Sequence, residues 1–163
     1  VSSAASDVYK RQGYKIIGTY INSTMALHEA IDKGADEALL LDKNGNISEG
    51  SGENIFIVKD NKIYTPKKDH CLNGITRQSV ITVAKDFGIN VTEKDITYDE
   101  ACSADETFFT GTAVEITPIT KIDSYKIGDG FRGPITKKLQ ETYGLIVSGQ
   151  SNQYNNWLSY VNK

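Results

Sequence analysis

The sequence contains few of the residue types that define disulfide-linked or metal-binding proteins. Its 163 residues include only two cysteines, two histidines, three prolines, one methionine and one tryptophan. Cys71 and Cys102 have no paired spacing, so we predict reduced thiols in a cytoplasmic protein. His28 and His70 lie far apart, with no further ligands at metal spacing. We therefore assign no metal site.

Long apolar runs and an excess of basic charge are also lacking. No stretch approaches the roughly 18 apolar residues of a membrane span. The net charge of -3 provides no basic surface for nucleic acid. The apolar content of 39% and the charged content of 24% are typical of a globular protein, and the length suffices for one core. Neither a membrane nor a nucleic acid is therefore expected as a partner.

The first segment, residues 1–12, differs in character from the rest. It reads VSSAASDVYKRQ and has no hydrophobic period, helix cap or signal-peptide core. Its second half resembles a translated transposon-end sequencing adapter, so we expect the native sequence to resume at about Gly13. The alternative is a native tail. The fold prediction therefore concerns residues 13–163.

Helices are predicted from capping residues and apolar periodicity. The first is capped by Asn22 or Ser23, carries an apolar face of Met25, Leu27, Ala30 and Ile31, and ends at Gly34. Further helices are predicted at 76–87, 98–102, 134–143 and 153–161.

Strands are predicted between these helices. Asn44-Gly45 and Asp60-Asn61 are hairpin signals that join neighbouring strands. Strands are expected at 37–41, 54–58, 62–65, 90–92, 107–110 and 113–122, and 15–20 is a short apolar stretch. The pattern predicts one α/β domain with a mainly antiparallel, hairpin-built sheet.

One carboxylate stands out within the segment Ser48–Asn54. Glu49 lies between two short apolar strands and is followed by Gly50 and Gly52. Glycines allow the chain to bulge and to approach a ligand closely. This is a candidate site, and a polar turn between strands is the alternative.

Lys15 is a second candidate. It lies in an apolar stretch and is followed by Gly18 and Tyr20. Burial lowers the pKa of a lysine, and a neutral amine is a nucleophile towards carbonyls. The alternative is an ordinary surface lysine.

Two further motifs could bind anions through backbone amides. Gly74 precedes Ile75 and Thr76 at a predicted helix start, where free amides and the helix dipole favour phosphate. Gly111-Thr112-Ala113 follows a strand and could hold a second anion. The alternatives are a plain helix cap and a plain turn.

In this order and spacing, the motifs resemble class IV aminotransferases, which are pyridoxal 5'-phosphate enzymes of fold type IV. Within that class, the chain is most similar to the large C-terminal domain of branched-chain amino acid aminotransferases, whose fold is a hairpin-rich sheet or pseudo-barrel flanked by helices. The matching segments are Lys15-x-x-Gly18-x-Tyr20, 37–42, 48–54, 74–77, 111–118, 130–136 and Trp157-Leu158.

The resemblance implies a role for each candidate residue toward the cofactor. Lys15 would form the Schiff base and shuttle the substrate proton, and Glu49 would keep the pyridine nitrogen protonated. Tyr20 would donate a hydrogen bond to the phenolic oxygen, and Leu72 would pack on the ring. Ile75, Thr76 and Thr112 would hold the phosphate, and Gly74 and Gly111 would also belong to the cofactor-binding site. The backbone amides of Thr112 and Ala113 would bind the substrate carboxylate.

The implied reaction transfers the amino group of leucine, isoleucine or valine to 2-oxoglutarate in a homodimer or larger homo-oligomer. D-amino acid aminotransferases and aminodeoxychorismate lyases share the lysine, the glutamate and the phosphate loop, so they remain alternatives. A cofactor-free binding module with the same fold is a third. The class also has a smaller N-terminal domain with no counterpart here, so we expect these 163 residues alone to lack useful turnover.

Overall fold

The computed structural model describes residue 18 and residues 20–161. In chain order, its elements are α1 (Tyr20–Asp32), β1 (Leu39–Leu41), β2 (Ile47–Gly50), β3 (Asn54–Lys59), β4 (Lys62–Thr65), α2 (Ile75–Asp86), β5 (Val91–Glu93), α3 (Tyr98–Cys102), β6 (Glu106–Gly111), β7 (Glu115–Ile119), β8 (Lys121–Ile122), β9 (Tyr125–Lys126), α4 (Pro134–Val147) and a 3-10 helix (Asn152–Trp157). Within this part of the chain, no helix has the length and apolar character needed to cross a bilayer.

A five-stranded sheet in the order β5-β4-β3-β6-β7 forms the centre of the fold. Its neighbours are antiparallel except for β4 and β5, which are parallel. Asp60 and Asn61 join β3 to β4 with φ values of 50° and 59°, the left-handed pair that a tight hairpin turn requires. β1–β2 and β8–β9 form separate two-stranded hairpins. The predicted α/β fold with a mainly antiparallel, hairpin-built sheet is confirmed.

Both faces of the central sheet are buried. On one face, Phe56 of β3 stacks on Phe108 of β6, with ring centroids 5.1 Å apart, and helices α2 and α4 cover this layer. On the other face, Ile55 and Ile57 pack with side chains of β1, β2, α3 and β8. Alternate residues of β3 therefore enter two different cores, which explains why its sequence is a continuous apolar run.

Helix α1 departs from its prediction. It begins at Tyr20, before the predicted caps, and its buried residues are Ser23, Ala26 and Ala30. Met25 and Ile31 of the predicted apolar face are exposed. Ala26 and Ala30 form a small core with Ala38 and Leu40. Small side chains allow α1 to approach β1 closely, so burial follows size here and not hydrophobicity.

The other elements follow their predictions more closely. α3 has the predicted bounds, and α2 is shifted by one residue. α4 is longer than predicted, and the last helix is a 3-10 turn that ends at Trp157, so its predicted extent is wrong. The predicted strand 113–122 divides into β7 and β8, and Pro118 lies in β7 at the edge of the sheet, where a missing donor is tolerated. Cys71 and Cys102 are free thiols, as predicted.

Candidate functional site

Glu49 is a buried carboxylate at the end of β2. Its side chain is only 5% exposed, and its backbone pairs with Leu40 of β1. Oε2 accepts a hydrogen bond of 2.9 Å from the backbone amide of Leu72. A charged group with so little solvent around it needs hydrogen-bond donors, and Leu72 supplies one. The candidate acid is therefore fixed within the fold and does not lie in a loose polar turn.

The two glycines after Glu49 have different surroundings from those predicted. Neither Gly50 nor Gly52 has a positive φ. A Cβ on Gly50 would lie 2.7 Å from Glu53 Oε2 and 2.9 Å from Phe109 Cε1, so close packing requires glycine there. A Cβ on Gly52 would meet no atom within 4 Å. Only Gly50 is required by its surroundings, and the reason is space and not backbone conformation.

A second acid lies beside Glu49. Burial raises the pKa of Glu53 above its ordinary value, the neighbouring Glu37 and Glu49 carboxylates raise it further, and a hydrogen bond from the Gly52 amide opposes this. Glu37 itself accepts hydrogen bonds from the amides of Ala38, at 2.7 Å, and Ser51, at 3.3 Å. Glu53 therefore keeps its proton to a higher pH than an isolated glutamate does.

The loop 66–74, which carries Leu72, is held by side chains from β2 and β3. Ser48 Oγ donates a short hydrogen bond to the carbonyl of His70. Asn54 Nδ2 donates to the carbonyl of Leu72 at 2.6 Å. Together with the bond to Glu49, three side chains within seven residues of the chain fix this loop. Leu72 is thereby held beside the candidate acid.

Arg77, a residue of α2, also stabilises the loop 66–74. It is buried in α2, donates to the carbonyl of Pro66 at 2.9 Å and to Asn73 Oδ1 at 3.3 Å, and pairs with Glu93 at 3.0 Å. Its charge is thus used within the fold. We conclude that Arg77 supports the loop 66–74.

The N-terminus of α2 is the first candidate anion site. Gly74 is the N-cap in extended conformation and has no side chain to cap the helix amides. Ile75 follows with its side chain 82% exposed, whereas Thr76 is buried and its Oγ1 lies 3.5 Å from the hydroxyl oxygen of Tyr143. The amides in this first turn are those that the helix dipole makes attractive to an anion.

The second candidate anion element lies near the first. Gly111 ends β6, and Thr112 and Ala113 are exposed in the turn before β7. A Cβ on Gly111 would lie 3.5 Å from Glu53 Cγ, so the β2–β3 turn contacts this element. Asn54, which contacts the 66–74 loop, is the register partner of Thr110. The β2–β3 turn and the adjoining Asn54 thus lie between the two candidate anion elements.

Two predicted residues, Tyr20 and Lys15, belong to the start of the chain. Tyr20 is half-buried at the first position of α1. Lys15 lies outside the described residues. A surface groove of about 490 Å³ runs between α2, α4 and the 3-10 helix, and Ile75 is the one predicted site residue in its lining. This groove is therefore separate from Glu49.

Three supporting residues were not assigned roles from the sequence. Ser48, Asn54 and Arg77 belong to the recognised motifs, but each acts through a contact with the 66–74 loop. Arg77 had a usable signal, because it lies three and seven residues before the buried Val80 and Ala84 and so shares their helix face. For Asn54, a polar residue at the start of a largely apolar strand was the available signal, whereas the strand that contains Ser48 is itself largely polar.

Comparison with known proteins identifies the class. Residues 2–122 match the family model of amino-transferase class IV. This chain belongs to that family, which confirms the resemblance drawn from the motifs.

Particular relatives are branched-chain enzymes. The chain is 56% identical over 144 residues to the branched-chain-amino-acid aminotransferase of Pseudomonas aeruginosa, covering 88% of this chain and 47% of that protein. It is 49% identical over 150 residues to the probable branched-chain-amino-acid aminotransferase of Aquifex aeolicus, covering 91% and 48%. The chain thus spans about half the length of the curated relatives it matches.

Solved structures give the same grouping. The branched-chain aminotransferase of the thermophilic archaeon Thermoproteus uzoniensis, solved with norvaline, matches with a TM-score of 0.90 at 47% identity, covering 98% of this chain and 53% of that one. The PLP-form of the Thermobaculum terrenum branched-chain amino acid aminotransferase matches with a TM-score of 0.93 at 36% identity, covering 99% and 53%. At these identities and scores, the chain shares the fold of these enzymes, as the resemblance implied.

Proposed function

We propose that the protein is a branched-chain amino acid aminotransferase that transfers the amino group of leucine, isoleucine or valine to 2-oxoglutarate with pyridoxal 5'-phosphate. The observation that carries this proposal is the buried Glu49 carboxylate, which is joined by one hydrogen bond to the loop that leads into the α2 N-terminus. The similarity to branched-chain enzymes supports the choice of reaction.

The described residues suit this cofactor in two respects. Its phosphate requires backbone donors and a favourable dipole, and the glycine-capped start of α2 offers both. Its ring nitrogen requires an acid, and Glu49 is a buried one held close to that helix start. We assign the phosphate to Ile75 and Thr76 in the first turn of α2 and to Thr112 after β6, with Gly74 and Gly111 as adjoining residues of the cofactor site.

When bound, the cofactor supplies an electron sink for the bond that breaks at the substrate α-carbon. Glu49 would keep the ring nitrogen protonated, because its carboxylate would stabilise the positive charge there. Leu72 would pack on the ring, and its amide holds the Glu49 oxygen in place. Tyr20 would donate a hydrogen bond to the phenolic oxygen of the cofactor.

Lys15 would supply the amine that attaches the cofactor, and its Nζ would move the proton to and from the substrate α-carbon. This assignment rests on the sequence motif Lys15-x-x-Gly18-x-Tyr20. The backbone amides of Thr112 and Ala113, which are exposed residues, would bind the substrate carboxylate.

We also propose that residues 13–163 form the C-terminal, cofactor-binding domain of this enzyme, because the chain spans about half of each relative. A smaller domain and a second subunit would complete the substrate pocket. The 163 residues alone are therefore expected to have no useful turnover. The free thiols are consistent with a cytoplasmic enzyme.

The test uses the full-length protein, pyridoxal 5'-phosphate and a Lys15→Ala variant. The wild type should acquire a visible absorption band on cofactor addition and should transaminate leucine, isoleucine and valine. The variant should lose both properties. Lys33→Ala is the matched control, because it removes an exposed lysine just after α1, and it should change neither.

The same assay separates the alternatives. A panel that includes D-alanine and aminodeoxychorismate would identify a relative of different specificity. An unchanged band and unchanged turnover in Lys15→Ala would refute the assigned chemistry. A wild type that takes up no cofactor would instead indicate a binding module.

A further inference from the structure

Asn54 is a polar residue at an unusual place, the first position of a largely buried strand. Its side chain is only 5% exposed, and its backbone pairs with Thr110 of β6. A buried amide needs partners for its donors and its acceptor. Its contacts therefore show what this side chain does in the fold.

In the first contact, Asn54 binds the backbone carbonyl of Leu72, whereas Glu49 binds the backbone amide of the same residue. Asn54 Nδ2 donates to the Leu72 carbonyl at 2.6 Å, while the Leu72 amide donates to Glu49 Oε2 at 2.9 Å. The same carbonyl also accepts a hydrogen bond of 2.9 Å from the amide of Gly74. Both polar groups of Leu72 are thus held by side chains at the two ends of the β2–β3 turn.

The second contact is steric and involves the helix start. A Cβ on Gly74 would lie 2.4 Å from Asn54 Oδ1, which is closer than atoms can approach. Gly74 is the N-cap of α2, so the Asn54 amide lies directly against the first turn of that helix. Asn54 consequently contacts both the loop that holds Glu49 in place and the helix end proposed to bind phosphate.

We infer that Asn54 is a positioning residue that fixes the α2 N-terminus relative to Glu49, so that one cofactor can reach both at once. The inference rests on the proposed function. It predicts that loss of Asn54 weakens the contribution of the phosphate group to binding more than that of the ring, because Leu72, which would pack on the ring, is still held through its amide by Glu49. A residue that only stabilised the fold would affect both equally.

The binding test compares pyridoxal 5'-phosphate with pyridoxal, which lacks the phosphate, in the full-length wild type and in Asn54→Ala. The affinity for pyridoxal 5'-phosphate should fall about tenfold, the factor expected for one buried hydrogen bond, and the affinity for pyridoxal should change less than about twofold. Asn54→Ser, whose hydroxyl stops one bond short of the Nδ2 position, provides a second variant if the alanine protein does not fold.

A second readout needs no cofactor. Gly74→Ala should lower the melting temperature of the wild type because of the clash with Asn54 Oδ1, and should lower it much less in the Asn54→Ala background, where that atom is absent. Gly52→Ala is the matched control, because a Cβ there meets no atom within 4 Å, and its effect should be small in both backgrounds.

The results of these experiments separate the inference about Asn54 from the proposed function. Equal losses of affinity for both ligands, or additive effects of the Asn54 and Gly74 substitutions, would overturn the inference even if the enzyme is a transaminase. If the wild type does not discriminate between pyridoxal and its phosphate, the inference and the proposed phosphate site both fail. A selective loss together with non-additive stability supports it.

Discussion

Helices α2 and α4 begin in similar ways, but side chains of opposite character meet their N-termini. Both have a glycine N-cap in extended conformation, Gly74 and Gly133. At each one, a Cβ would collide with a side chain of the central sheet. At α4 that side chain is the carboxylate of Glu106, and at α2 it is the neutral amide of Asn54.

The difference decides which helix end can receive an external anion. Glu106 accepts hydrogen bonds from the amides of Ile135, at 3.0 Å, and Thr136, at 2.7 Å. The start of α4 is therefore occupied by a charge of the protein itself. Asn54 brings no charge and donates to the Leu72 carbonyl instead. A carboxylate from the sheet therefore occupies the N-terminus of α4, whereas the N-terminus of α2 remains electrostatically favourable for a phosphate.

The largest effect is expected at the acid beside the favourable end. Glu49→Gln keeps an oxygen that can accept the Leu72 amide but removes the negative charge at the ring nitrogen. In the full-length protein, kcat/KM for leucine should fall about 10²–10³-fold, as for other preorganised electrostatic groups. The melting temperature should stay close to that of the wild type, and activity close to that of the wild type would contradict the assigned role.

A charge introduced at Asn54 should make the two helix ends alike. Asn54→Asp places a carboxylate at the α2 N-terminus, in the manner of Glu106 at α4, and it also loses the donor to Leu72. We expect a loss of affinity for pyridoxal 5'-phosphate of about a hundredfold, larger than that of Asn54→Ala. Equilibrium titration measures it, and a loss no greater than for alanine would show that charge at this position is unimportant.

Removing the internal anion of α4 should affect stability and not ligand binding. Glu106→Ala leaves the amides of Ile135 and Thr136 without their acceptor, so the free energy of unfolding should fall by about 2 kcal/mol. Urea denaturation provides the measurement, and Glu106→Gln, which retains one acceptor oxygen, should lose less. A fall in cofactor affinity comparable to that of the Asn54 variants would remove the distinction between the two helix ends.

The smallest effect concerns the pH dependence of stability that Glu53, in the β2–β3 turn, causes. Burial raises the pKa of Glu53 in the folded protein, so the folded state binds a proton more readily than the unfolded state. Stability is then lost as pH rises from the ordinary carboxyl value, 4.5, through the raised value. Glu53→Gln should remove this loss, so the variant gains stability relative to wild type at about pH 7 and much less at about pH 4. A gain that is the same at both pH values would contradict it.

Much of the fold could be predicted because its signals are local. Asp60-Asn61 forms the two-residue hairpin turn that its residue types favour, and Asn44-Gly45 lies in the longer turn between β1 and β2, where Gly45 has a φ of 81°. α3 is fixed by a capping box between Thr97 and Glu100, three residues apart. Helix α1 was also predicted, but its buried face was not, because that face consists of Ser23, Ala26 and Ala30, which a hydrophobic pattern does not distinguish from an exposed face.

The supporting contacts of the site could not be predicted because they join distant parts of the chain. Asn54 meets Leu72 across 18 residues, Glu49 meets it across 23, and Glu106 meets Ile135 across 29. Sequence motifs identified Glu49 and Gly74 separately as candidates for an acid and an anion site. Only the folded chain shows that one loop connects them.

The most direct measurement is a crystal structure of the full-length protein with pyridoxal 5'-phosphate bound. We expect phosphate oxygens about 2.7–3.2 Å from the first amides of α2 and the ring nitrogen at hydrogen-bond distance from the Glu49 carboxylate. A phosphate bound at another place, with Glu49 remote from the ring, would contradict it.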